Sequence, residues 1–213
     1  MRPLTDKLPK ALLAVGGKPL IVWHVEKLAA AGFDRIVINH AHLGNMIESA
    51  LADGARFGAQ IVYSREDTAL ETAGGIAYAL HLLGDAPFAA VNADVFSDYD
   101  YAGLARVVES MARQPVLAHL VLVDNPDHHA EGDFALHGGE VVPDGARLTF
   151  SGIAAYCPSL FSSVSPGAKA RLEPLLRAQI AAGQVSGEHF TGRWRDVGTP
   201  ARFAAINREL GYT

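Results

Sequence analysis

The sequence predicts an α/β chain of the doubly wound class, with a mostly parallel mixed sheet covered by helices on both faces. Three observations carry that expectation. Short apolar or β-branched runs alternate with amphipathic helical stretches over residues 1–124. Two of the runs, FAAV and the LVLV of LAHLVLV, are apolar on successive residues, the pattern of strands buried on both faces. The chain has 213 residues, 49% hydrophobic and 19% charged, enough for one continuous core and not for two full domains.

The elements follow in order. After the Gly16-Gly17 turn, KPLIVWHVEKLAAAG places Ile21, Val22, Val25, Leu28 and Ala29 on one helical stripe, with Gly32 just past its end. RIVINH then reads as a strand, LGNMIESALADG as a helix, QIVYS as a strand, AGGIAYALHLLG as a helix and FAAVNAD as a strand. DYAGLARVVESMA adds a helix and LAHLVLVDN a strand. From Asn125 the rhythm changes to short extended pieces, GDFAL, EVV and RLTFSGIAAY, expected to pair antiparallel or mixed. The stretch KARLEPLLRAQIAAG gives a helix through Leu172, Leu175, Leu176 and Ile180. A loop, RWRDVGT, precedes a final helix, PARFAAINREL.

Composition narrows the function. A net charge of -5 argues against general affinity for nucleic acid or an anionic membrane, and no apolar segment approaches the ~20 residues that cross a bilayer. The single cysteine, Cys157, cannot form an intramolecular disulfide, and the N-terminus lacks a secretory signal, so a reducing cytoplasm is expected. None of these patterns specifies an oligomeric state.

In open parallel sheets ligands bind beyond the carboxyl ends of the strands. Asp94 ends FAAVNAD and would stand at that rim, the other reading being a turn or capping aspartate. Asp196 in RWRDVGT is a second carboxylate, 102 positions away, and the two can converge on one Mg2+. Lys10, after Pro9, reads either as a point charge for a phosphate or as a solvated loop lysine. In LETAGGI, Thr72 is a candidate N-cap, and Gly74 and Gly75 would let a ligand approach the helix amides. Neither a G-x-G-x-x-G nor a Walker motif occurs. The histidines of NHAH and DHH invite a zinc reading, but His128 and His129 have no cysteine or properly spaced partner nearby; His40, following a strand, is a candidate ligand contact. Cys157 has no local base and reads as a core residue, and Trp194 as packing beneath the Asp196 loop.

Taken together, MRPLT, LPKALLAVGGKPLI, LETAGGI, VNAD, FSGI and WRDVGT, in this order, resemble the sugar-1-phosphate nucleotidyltransferases across nearly the whole chain. INHAHLG, HLVLVDNPDHHAEGDF and SGEHFTGRWRDVGT are most similar to the N-acetylmuramate-1-phosphate uridylyltransferases. The resemblance implies a Rossmann-like nucleotide-diphospho-sugar transferase fold forming one domain, with residues 1–124 as the nucleotide-binding part and 125–213 as the sugar-binding part with the C-terminal helices. It implies a nucleoside triphosphate, UTP in that subgroup, and a sugar-1-phosphate as partners, with Mg2+ as cofactor. Asp94 and Asp196 match metal ligands, Lys10 a phosphate contact, and Thr72 with Gly74 the base-reading segment. Asn92, Asp133 and Gly152 match positions facing nucleotide or sugar. Guanylyl and thymidylyl transfer, or an inactive sugar-nucleotide-binding protein, are the alternatives it leaves. Members of the family carry a strand and glycine-rich loop just before MRPLT, so the first strand of the sheet is expected to be absent and turnover by this chain to be poor.

Overall fold

The computed structural model describes Met1 and residues 4–212; Arg2 and Pro3 of the MRPLT motif lie outside the described residues. Two compact units interleave along the chain. Met1–Thr68, Asn92–Ala102 and Arg193–Thr213 make the first, and Ala69–Val91 with Gly103–Gly192 the second. The expected division between residues 124 and 125 falls inside the second unit.

In the first unit, β3 (Arg35–His40) and β4 (Gln60–Arg65) run parallel, in register from Arg35 opposite Gln60 to His40 opposite Arg65. Helices α1 (Leu20–Ala30) and α2 (Gly44–Leu51) lay Ile21, Val22, Val25, Ile47 and Leu51 onto Ile36, Ile38 and Ile61 of these strands. Ahead of α1, β1 (Ala14–Val15) and β2 (Lys18–Pro19) form a hairpin through Gly16 and Gly17, whose φ angles of +60° and +76° suit a turn that side chains disfavour. A second antiparallel ribbon joins β6 (Val95–Ser97) to β12 (Trp194–Asp196) and leads into α6 (Pro200–Glu209). Val15, Leu20, Phe96, Val197 and Ile206 close a small core around it. The expected RWRDVGT loop is thus a strand over its middle, because VFS supplies a partner edge that no local pattern announces.

The second unit holds a six-stranded sheet of order β5-β10-β7-β11-β9-β8. Its strands are β5 (Phe88–Val91), β7 (Ala118–Val123), β8 (Phe134–His137), β9 (Glu140–Val142), β10 (Arg147–Tyr156) and β11 (Val185–Phe190). Strands β7 and β11 are parallel, and β10 runs antiparallel to both β5 and β7, so β5, β7 and β11 share one direction. Leu120, Val121 and Leu122 are fully buried, as their continuous apolar run requires. Helices α3 (Glu71–Leu83) and α5 (Leu172–Ala181) cover one face with Ala73, Ala77, Leu172, Leu176 and Ile180. Helix α4 (Tyr101–Met111) buries Leu104 and Met111. Strand β11 was not expected from VSGEHF; a Cβ on Gly187 would lie 2.9 Å from the Leu120 carbonyl, so glycine lets the strand approach closely.

Among the described residues β5 has a strand partner on one edge only, and so has β3. All four β5 residues are half-buried, less than their apolar character would suggest. No helix among the described residues is long and apolar enough to cross a membrane.

Candidate active site

Asp94 and Asp196 meet through the β6–β12 ribbon. Asp94 sits on the turn that follows β5, and its backbone carbonyl accepts from the Val197 N–H at 2.8 Å, while Asp196 stands opposite Val95. Two carboxylates remote in sequence therefore occupy adjacent chain segments at one end of a ribbon. Asn92 lies on the same turn, exposed, its carbonyl accepting from the Val95 N–H.

Each carboxylate carries its own cation. Lys10 Nζ donates to Asp94 Oδ2 at 2.6 Å, and an Arg202 Nη2 lies 2.8 Å from Asp196 Oδ2. Lys10 opens a 3-10 turn, Lys10–Leu12, whose Ala11 is buried against the α1 and β3 core, so its backbone is fixed and its side chain extends outward. Arg202 sits in the first turn of α6, where Thr199 Oγ1 accepts its N–H at 3.2 Å. A Cβ on Gly198 would come within 2.1 Å of Arg202 Nη2 and 2.7 Å of Asp196 Oδ2; the missing side chain admits the guanidinium. Sequence reading missed Arg202, for which the signal was its place three residues after a capping threonine.

The opposite edge of β6 is held by α1. His24 Nε2 donates to the Val95 carbonyl at 2.7 Å and Lys27 Nζ to the Ser97 carbonyl at 2.6 Å, so side chains one helical turn apart satisfy carbonyls two residues apart on the strand. Since a carbonyl only accepts, His24 carries its proton on Nε2, and Nδ1 accepts from the Tyr101 hydroxyl at 2.8 Å. Burial lowers the His24 pKa to about 4, against the opposing effect of the Val95 bond, and keeps the ring neutral. Burial likewise lowers the Lys27 pKa, with Asp98 opposing.

INHAHLG has a structural account. His40 and Arg65, opposite each other at the carboxyl ends of β3 and β4, both bond Glu48 of α2. Hydrogen bonding from Arg65, aided by His40, draws the Glu48 pKa down to about 2. A Cβ on Gly44 would stand 1.7 Å from His40 Nδ1, so only glycine leaves room for the ring.

The remaining candidates belong to the second unit. Thr72 is exposed and lies inside α3, whose N-cap position is Leu70; the expectation that Thr72 caps the helix is corrected. The N–H groups of Ala73 and Gly74 both donate to the Ala170 carbonyl, at 3.1 and 3.2 Å, and a Cβ on Gly74 would lie 2.4 Å from the Ala168 carbonyl. The space Gly74 leaves is therefore filled by the chain itself. Glu71, at φ +61°, precedes them. Asp133 bridges its loop to β10, accepting from the Phe150 N–H at 2.8 Å on Oδ2 and meeting His129 Nε2 at 3.0 Å on Oδ1. Gly152, at φ +78°, lies in a bulge of β10 between Phe150 and Ile153. There the Ser151 hydroxyl donates to the Val121 carbonyl at 2.6 Å and accepts the Ile153 N–H at 3.1 Å, replacing ladder bonds the bulge breaks.

Burial raises the pKa of Cys157, whose thiol donates to the Val116 carbonyl. Trp194 is buried at the start of β12. Among the described residues no group of three or more His, Cys, Asp and Glu side chains is placed to hold a metal. The donor set of Asp94 and Asp196 is two hard carboxylates. That set fits Mg2+, which binds through one or two carboxylates and fills its remaining positions with water and substrate phosphates.

A profile of the nucleotidyl transferase family matches residues 1–133. The chain is 50% identical over 207 residues to the N-acetylmuramate alpha-1-phosphate uridylyltransferase of Neisseria meningitidis serogroup B, covering 95% of this chain and 89% of that protein. It is 30% identical over 217 residues to a mannose-1-phosphate guanyltransferase of Hypocrea jecorina, covering 95% of this chain and 58% of that one. Among solved structures, a putative glucose-1-phosphate thymidylyltransferase of Bacillus anthracis superposes with a TM-score of 0.85 at 22% identity, over 99% of this chain and 89% of the other, which shows a shared fold.

Proposed function

The chain belongs to the nucleotidyl transferase family, and from that premise we propose that it transfers the uridylyl group of UTP to N-acetylmuramate-1-phosphate and releases pyrophosphate. The observation that carries this reading is the identity of half the aligned residues with a uridylyltransferase, sustained over nearly the full length of both proteins. Use of a nucleoside triphosphate and a muramic acid phosphate fits a cytoplasmic step that recycles cell-wall sugars.

A phosphate oxygen of the sugar-1-phosphate attacks the α-phosphorus of UTP; the P–O bond to the β-phosphate breaks, and pyrophosphate leaves with that electron pair. The protein's contribution is position and charge. Asp94 and Asp196 would hold Mg2+, which when bound supplies Lewis-acid neutralisation of the reacting phosphates. Arg202 and the Val197 N–H fix the two aspartate-bearing segments. Lys10 supplies a mobile positive charge for the triphosphate. Asn92, beside Asp94, and Thr72, Asp133 and Gly152 are assigned to substrate on resemblance; Gly74, matched to the same segment as Thr72, has its N–H and the space beside it taken by the 168–170 backbone.

The test measures pyrophosphate release with Mg2+, offering UTP, GTP, dTTP or ATP against N-acetylmuramate-, N-acetylglucosamine-, mannose- and glucose-1-phosphate. Preference for UTP with N-acetylmuramate-1-phosphate is expected. Preference for GTP with mannose-1-phosphate, or binding without any release, overturns the reading.

A further inference from the structure

The ammonium of Lys10 lies 2.6 Å from Asp94 Oδ2, on the very carboxylate assigned above to a divalent metal. An ammonium and a metal cannot share one carboxylate oxygen at contact distance without strong mutual repulsion. A metal taking Asp94 Oδ2 must displace Lys10, and one taking the other oxygen sits on the same carboxylate as the ammonium and is repelled by it, so Lys10 weakens metal binding at Asp94 while it stays paired there. The pair is built for such an exchange. Both side chains are partly open, 29% and 45% exposed, so the ion pair itself is weak. Lys10 hangs on a flexible four-carbon stem from a backbone turn anchored by buried Ala11 and can swing without moving the main chain. The companion pair is different: the Arg202 guanidinium occupies the space left by Gly198, and its backbone is tied to the capping Thr199.

We propose that Lys10 is a placeholder cation: it neutralises Asp94 in the free protein and transfers to the triphosphate when metal and nucleotide load together. The exchange makes the two ligands cooperative. Without nucleotide, Lys10 opposes the metal; with nucleotide, its charge has another anion to meet. By linkage, metal must raise nucleotide affinity by the same factor that nucleotide raises metal affinity. The inference rests on the metal role proposed for Asp94.

Electron paramagnetic resonance titration of the whole chain with Mn2+ tests it, with and without a non-hydrolysable UTP analogue. Lys10→Met is expected to tighten Mn2+ binding in the absence of nucleotide about two- to fivefold, the size of one partly exposed ion pair. It should also shrink the enhancement produced by the analogue. Unchanged or weaker Mn2+ binding by Lys10→Met overturns the exchange. An Asp94→Asn arm separates the premises: if it leaves Mn2+ binding intact, the metal role of Asp94 fails, whereas its loss alongside an unresponsive Lys10→Met defeats only the exchange.

Discussion

At the scale of single residues, Asp94 and Asp196 are distinguished by the cations they meet. Lys10 is able to leave Asp94, whereas the absent Cβ of Gly198 seats Arg202 against Asp196. Replacing either carboxylate with the isosteric amide keeps the shape and removes the charge. Asp94→Asn and Asp196→Asn are each expected to lower turnover about a hundredfold or more while leaving the circular dichroism spectrum unchanged. Wild-type rates in both would remove the two-carboxylate assignment. Both aspartates could be singled out in the sequence as candidates, Asp94 at the end of VNAD and Asp196 within WRDVGT. Arg202 could not, since its role exists only once α6 folds back on the residue six positions before it. His24 was equally silent. Within α1 it looks like one polar residue in an apolar stripe, and only β6 shows what its proton is for.

At the scale of elements, α1 serves as the second edge of β6, and a buried neutral histidine makes that contact dependent on pH. The pKa of His24 is near 4 in the folded chain and about 6.5 in an unfolded one, so between those values the unfolded state binds a proton that the folded state refuses. The stabilisation is present above pH 6.5 and is lost as pH falls towards 4, in total on the order of 3 kcal/mol. Urea unfolding from pH 7 to 4.5 should show this loss, and His24→Gln, which cannot take up the proton, should flatten it. An equally steep profile in that variant would assign the pH dependence to other groups. Helix α3 makes a different demand. Gly74→Ala would push a methyl group into the Ala168 carbonyl, and backbone there has little freedom to retreat. A loss of about 1–3 kcal/mol in the urea midpoint analysis is expected; a neutral result would mean that the 168–170 segment yields readily. The elements that sequence made visible, such as the α1 stripe and the β7 run, have period and length on their side. Strands β6 and β12 each have three residues, and β11 is broken by glycine and charge, so long-range pairing decides them rather than local pattern.

At the scale of the whole molecule, ligand should be read by the fold as stability. A ligand that binds only the native state stabilises it by RT ln(1 + L/Kd), where L is the free ligand concentration, so at equal concentration the tighter ligand raises the melting temperature more. With Mg2+ present, UTP is therefore expected to raise it more than GTP, dTTP or ATP at equal concentration, by differential scanning fluorimetry. Equal shifts with all four would deny base selectivity to the nucleotide-bound state. The sequence organisation was less legible here. A division at residue 124 follows the change of rhythm along the chain, but contacts assemble the first unit from three separate stretches.

That discontinuity sets a clock. The β6–β12 ribbon joins residues about a hundred positions apart, so at ~5–20 residues per second Asp94 is added to the chain roughly 5–20 s before Asp196 exists to face it. During that interval β6 has no strand to pair with. His24 and Lys27, made much earlier on α1, are already available to hold its other edge and keep the waiting strand from pairing elsewhere.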